Sequence, residues 1–217
     1  MTKLCIFDLD GTLVNSLYDL ADAMNYALEK NGFQPHDREK YRFFVGNGIS
    51  SLADKAMIIP KGMATPEQKT QVLADFNEYY DNHCMDKTAP YPGIKELLDE
   101  LDKRNIKYAV MSNKPDNFAK IIVKALFPDN EFVTIWGKRD NFERKPSPQA
   151  VLALIDEVGI PKNECLYIGD SDVDVYTAKN AELKCCGVSW GFRPKQELID
   201  AGAEFIADTA EEILTQL

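Results

Sequence analysis

The stretch Leu4-Cys5-Ile6-Phe7-Asp8-Leu9-Asp10-Gly11-Thr12 decides how this chain is read. Four successive apolar residues fit a strand buried on both faces, the habit of parallel sheets. Side chains alternate along a strand, so Asp8 and Asp10 point the same way as it ends. Gly11 then lets the backbone turn sharply. In open α/β sheets, ligands bind beyond the carboxyl ends of the strands, near the point where strand order reverses. Two carboxylates there suit one of two tasks, holding a hard cation or working as a nucleophile and acid/base pair. A lone Asp-x-Asp reads more simply as a solvated turn, but the apolar strand before it and Gly11-Thr12 after it favour function.

Outward from this stretch, short apolar runs at 108–111, 132–136, 166–168 and near 185–188 read as further buried strands. Helical patterns separate them. Ile94, Leu97, Leu98 and Leu101 recur at i, i+3, i+4, i+7, as do Phe118, Ile121, Ile122 and Ala125. Val151, Leu154, Ile155 and Val158 repeat the spacing, with Ser147 as N-cap and Pro148 at the first helical position. Strands alternating with helices predict an α/β fold with a parallel sheet covered by helices. From about 15 to 87 the rhythm breaks, and only helical patterns appear, such as Leu17, Leu20, Ala21, Met24, Leu28 and Val72, Phe76, Tyr79, Tyr80, His83. The expected organisation is a core of 1–14 and 88–217 carrying an all-helical domain over 15–87.

Composition narrows the function. The 217 residues hold 25 Lys and Arg against 35 Asp and Glu, a formal charge of −10. That acidity argues against nucleic-acid binding, which needs clustered cations. No apolar run is long enough to span a membrane, and the N-terminus has no signal-peptide pattern. Five cysteines without CxxC spacing read as reduced, buried thiols of a cytoplasmic protein.

A second acidic run, Gly169-Asp170-Ser171-Asp172-Val173-Asp174, again follows a strand-like segment. It matches the start of a calcium-binding EF-hand loop, but Val175 and Ala181 stand where that loop needs Gly and Glu. The better reading has carboxylates here join Asp8 around one Mg²⁺, which takes few protein carboxylates and fills its other positions with water or phosphate. Ser112-Asn113-Lys114 ends the second strand and precedes a helix, a placement that suits either an oxyanion site or a plain N-cap. Lys145-Pro146, in a loop, offers a cation to offset the carboxylates and attract an anionic substrate.

In this order the four motifs, DxDGT, Ser112, Lys145-Pro146 and GDxxxD, resemble the haloacid dehalogenase superfamily, in particular its phosphatases with a helical cap inserted after the first strand. The resemblance covers essentially the whole chain and implies a Rossmann-like core. It implies Asp8 as the nucleophile that forms an aspartyl-phosphate, and Asp10 as the acid for the leaving alcohol and then the base for water. Such an acid needs a raised proton affinity, which neighbouring carboxylates would supply. Ser112 and Lys145 would bind phosphoryl oxygens, and Thr12 and Asn113 would bind substrate beside them. Mg²⁺ would be held by Asp8, the backbone carbonyl of Asp10, and Asp170, with Asp174 supporting from behind. Lys114 competes with Lys145 for the cationic role, and Lys145 is preferred.

The run Arg42-Phe43-Phe44-Val45-Gly46-Asn47-Gly48 cannot be good helix interior, so it breaks two cap helices. It is similar to the cap of phosphoglycolate phosphatases, as Trp190-Gly191-Phe192 is similar to a segment of that subgroup. Arg42, Gly46, Asn47 and Gly48 are therefore expected to contact substrate, although a plain turn would look the same. The partner implied is a small phosphorylated metabolite, 2-phosphoglycolate first, handled by a monomer or homodimer. Sugar phosphates, nucleotides or pyrophosphate are alternatives, as is a sugar phosphomutase. A phosphoaccepting signalling domain fits less well, because it is shorter and lacks the helical insert.

Overall fold

The computed structural model describes residues 1–57 and 64–217. The chain forms two compact units, one of Met1–Asn15 with Pro90–Leu217 and one of Ser16–Ala89.

The first unit is an α/β sandwich. Its six-stranded sheet comprises β1 (Leu4–Phe7), β2 (Lys107–Pro115), β3 (Thr134–Lys138), β4 (Cys165–Gly169), β5 (Lys184–Val188) and β6 (Phe205–Ala207), all pairings being parallel. In this numbering the spatial order is 3-2-1-4-5-6, so strand order reverses between β1 and β4, the position where doubly wound sheets open a ligand crevice. Leu4 stands level with both Lys107 and Cys165, and the Asp8 amide continues the ladder by donating to the Ile168 carbonyl at 2.9 Å. All four β1 side chains are fully buried, as an unbroken apolar run in a covered sheet requires.

Helices Gln149–Val158 and Asp172–Ala181 contribute Val151, Leu154, Val175 and Ala178 to a core with Ile6, Ala109, Met111, Trp136 and Tyr167 of the sheet. Helix Ile94–Lys103 packs on β2, and helix Asp116–Leu126 packs on β2 and β3. On the latter the buried stripe is Phe118, Ala119, Ile122 and Val123, while Ile121 is 50% exposed. The expected face through Ile121 and Ala125 is thus rotated by one position, because the pairs 118/122 and 119/123 sit over the sheet. Pro148 caps its helix from outside, and the helix starts at Gln149, one residue later than the spacing suggested. The third strand lies two residues beyond the apolar run at 132–136. The edge strand β6 had no sequence expectation, since three residues are too few to show a period.

The second unit is helical, with helices Leu17–Lys30, Ile49–Ala56 and Pro66–His83 and a 3₁₀ turn at Arg38–Phe43. Leu17, Leu20, Ala21, Met24, Leu28, Val72, Phe76 and Tyr80 are buried as their spacing implied. Thr65 and Gln68 form a reciprocal capping box at the start of the last helix. The buried Asp19 carboxylate accepts hydrogen bonds from the Lys87 and Thr88 amides and from Thr88 Oγ1 at 2.7 Å, tying the first helix to the returning segment. Between the 3₁₀ turn and the second helix, Gly46 and Gly48 adopt φ values of 108° and 80°, a conformation that only glycine takes without strain. The helix break at this glycine pair therefore stands.

Candidate active site

The reversal point of the sheet gathers the acidic motifs. Asp8 leaves the end of β1 and Asp170 the end of β4, and Asp174 lies in the first turn of the following helix. Oxygens of these three carboxylates lie within 4.8 Å of one another, and all three residues are buried. Like charges held so close in a dry site repel strongly, so something must compensate them.

One compensation is Lys145, whose Nζ stands 2.9 Å from Asp8 Oδ1 and 2.7 Å from Asp174 Oδ1. Burial alone would push the Lys145 ammonium down, but the carboxylates of Asp174 and Asp8 outweigh it and hold it well above its usual range. Burial, partly offset by Lys145, lifts Asp8 to about 6. Burial and the neighbouring Asp174 and Asp8 raise Asp170 well above the usual carboxylate range. The cluster is therefore short of positive charge. Asp8 Oδ1 sits in ion-pair range of Lys145, yet it is fully buried and receives no hydrogen bond of proper direction. An oxygen left in that state, within an all-carboxylate donor set, fits a hard divalent cation.

The remaining bonds hold the acids rigid. Asp174 accepts from Lys145, from Ser171 Oγ at 2.7 Å and from the buried Tyr167 hydroxyl at 3.4 Å. Asp170 accepts from the Phe192 amide at 2.7 Å and from Thr12 Oγ1 at 3.5 Å. Glycine is required where backbone meets these acids. A Cβ on Gly11, which has φ +94°, would lie 2.3 Å from Asp170 Oδ2, and one on Gly169 would lie 2.2 Å from Asp174 Cγ.

Ser112, Asn113 and Lys114 owe their placement to an irregularity in β2. Met111 pairs with Trp136 and Pro115 with Lys138, so four steps on β2 answer two on β3. Such a bulge re-aims side chains, and all three residues turn inward and are buried. Ser112 Oγ accepts from the Lys114 amide at 3.3 Å. Lys114 Nζ contacts both Asp10 carboxylate oxygens, at 3.1 and 3.2 Å. The expected rivalry between Lys114 and Lys145 dissolves, because each ammonium serves a different aspartate. Asp10 thus pairs with a cation, Lys114, and its side chain lies outside the three-carboxylate cluster.

The profile of the haloacid dehalogenase-like hydrolases matches residues 5–188. This chain belongs to that family. Over 99% of its length it is 31% identical to the phosphoglycolate phosphatase of Pseudomonas fluorescens Pf0-1, covering 79% of that protein. It is also 31% identical to the phosphoglycolate phosphatase of Vibrio parahaemolyticus, covering 98% of this chain and 94% of the relative. Among solved structures, a Lactobacillus delbrueckii subsp. bulgaricus protein, provisionally named a phosphoglycolate phosphatase, superposes with TM-score 0.92 at 35% identity. That match covers 98% of this chain and 97% of the other.

In this haloacid dehalogenase-like hydrolase Asp8, Asp10, Thr12, Ser112, Asn113, Lys145, Asp170 and Asp174 all belong to the first unit, where Lys145 joins Asp8 to Asp174 and Thr12 meets Asp170. Arg42, Gly46, Asn47 and Gly48 belong to the second, where Arg42 Nη1 stands 3.7 Å from Glu39. The sequence assigned no site role to Tyr167, Ser171 or the Phe192 amide. Ser171 had a legible signal, the Ser-x-x-acid spacing of a capping box, which is formed here with Asp174. The other two act through a hydroxyl seven residues from its partner and through a backbone amide, and neither leaves a mark in a sequence. Among the described residues, no helix is long and apolar enough to cross a membrane.

Proposed function

We propose that this hydrolase is a Mg²⁺-dependent phosphomonoesterase working through an aspartyl-phosphate at Asp8, with 2-phosphoglycolate as its substrate. The observation that carries the reading is the buried Asp8–Asp170–Asp174 cluster, clamped by Lys145 and still short of positive charge. The ion, when bound to Asp8, Asp170 and the Asp10 carbonyl, supplies charge that lets a phosphate dianion approach an aspartate. Asp174 supports it from behind while holding Lys145.

In this scheme Asp8 attacks phosphorus, and Lys145 and Ser112 meet the equatorial oxygens, where positioning and electrostatics supply most of the rate. Asp10 gives its proton to the leaving oxygen and takes one back from the hydrolytic water. Lys114, already beside Asp10, stabilises the carboxylate left after that donation. Arg42 and the turn at Gly46-Asn47-Gly48 are proposed to select for the substrate's own carboxylate. The enzyme is proposed to work in the cytoplasm, with 15–87 as its specificity domain.

The test is phosphate release from 2-phosphoglycolate, a hexose phosphate, a nucleoside monophosphate, pyrophosphate and an aryl phosphate, with Mg²⁺ or EDTA and with Asp8→Ala as blank. The expected result is metal-dependent release, absent in Asp8→Ala, with kcat/KM for 2-phosphoglycolate higher by about 100-fold, or about 2.7 kcal/mol. Arg42→Ala should narrow that preference. Uniformly slow release would discard the substrate but keep the chemistry. Little release with bisphosphate activation would indicate a mutase.

A further inference from the structure

Lys145 is an unusual carrier of fine geometry, because its backbone belongs to no helix or strand. The chain runs from the end of β3 at Lys138 to Gln149 without regular structure, yet Lys145 Nζ must sit within 3 Å of two different carboxylates. Loop backbone without a ladder relies on side chains to satisfy and fix its polar groups.

The bulge of β2 supplies one. Asn113 Oδ1 accepts from the Lys145 amide at 2.9 Å, and Asn113 Nδ2 donates to the Lys145 carbonyl at 3.3 Å. The side-chain amide thus reads both backbone groups of one residue, 32 positions away, as a neighbouring strand would. Both residues are buried, at 5% and 4% exposure, so water cannot replace these bonds cheaply. Asn180 Nδ2 holds the next carbonyl, that of Pro146, at 2.9 Å.

We infer that Asn113 is a positioning residue for Lys145, acting through the loop backbone and not by touching substrate. The inference rests on the reading of Lys145 as the phosphoryl-binding cation. It assigns the Ser112-Asn113-Lys114 bulge three separate tasks, with Ser112 facing the phosphoryl oxygens, Asn113 fixing Lys145, and Lys114 holding Asp10.

The experiment combines kinetics on an aryl phosphate, with Mg²⁺, and amide hydrogen exchange at Lys145. Asn113→Ala should lower kcat by about 10²-fold, the scale of a misplacement near 1 Å, with KM nearly unchanged. In a Lys145→Ala background it should cost almost nothing more, since residues acting as one unit are not additive. The Lys145 amide should be protected in the wild type, unprotected in Asn113→Ala, and protected again in Asn113→Asp, which keeps the acceptor oxygen. Asn113→Asp should also recover part of kcat, and it carries the kinetic test if the alanine variant does not fold. A KM increase with kcat intact, or a full further loss in the Lys145→Ala background, would overturn the proposal in favour of substrate contact. Unchanged Lys145 exchange in Asn113→Ala would overturn the clamp itself. A wild type without phosphate release would instead refute the phosphatase reading, while the exchange data would still report on the clamp.

Discussion

Replacing Asp170 by Asn should stabilise the metal-free protein, although it removes a residue of the candidate site. Asp170 is buried against Asp8 and Asp174, and its carboxyl is raised well above the usual 3.8, chiefly by burial and then by those two acids. Between its unfolded and folded values such a group binds more protons folded than unfolded. Stability therefore falls as pH rises through that window, and the contribution is harmless only near or below the unfolded value. Asp8, moved from 3.8 to about 6, contributes with the same sign. The carboxamide introduced by Asp170→Asn would keep an acceptor for the Phe192 amide and carry no charge. In EDTA at pH 8, Asp170→Asn should thus be more stable than wild type by about 2 kcal/mol, the scale of a buried polar group left without compensation, and near pH 4 the two should converge. With a urea slope of about 2–3 kcal/mol per M, that is a midpoint shift of about 0.7–1 M. Mg²⁺ at about a hundred times its Kd should reverse the order, because it would add about 2.7 kcal/mol to wild type and less to the variant. If Asp170→Asn were the less stable protein in EDTA at pH 8, or if its advantage did not depend on pH, the account of a charge-starved cluster would be wrong.

Two further outcomes follow from packing. Gly169→Ala should destabilise the fold by about 1–3 kcal/mol and weaken Mg²⁺ affinity, read by thermal melts with and without the ion, because its Cβ would meet Asp174 Cγ at 2.2 Å. All five thiols are free and buried, and burial pushes Cys186 up to about 12 and Cys165 to about 11, so a disulfide reagent at pH 8 should label the native protein slowly and all five rapidly in urea.

Much of the architecture was legible because parallel strands covered on both faces demand unbroken apolar runs, as at Leu4–Phe7 and Cys165–Gly169. Helix faces were legible to within one position, the error at Ile121 reflecting how the helix rolls on the sheet. The acids were legible because carboxylates and glycines at strand ends have few structural uses. Sequence alone thus determined the class of fold, the helical insert and the chemical character of the site. Tertiary structure decided the partnerships. Lys145 reaches Asp8 and Asp174 while Lys114 reaches Asp10, and Asn113 binds backbone 32 residues away. The physical reason is that a bulge of two residues in β2 and the reversal of strand order between β1 and β4 set these distances, and both are properties of register between segments far apart in the chain.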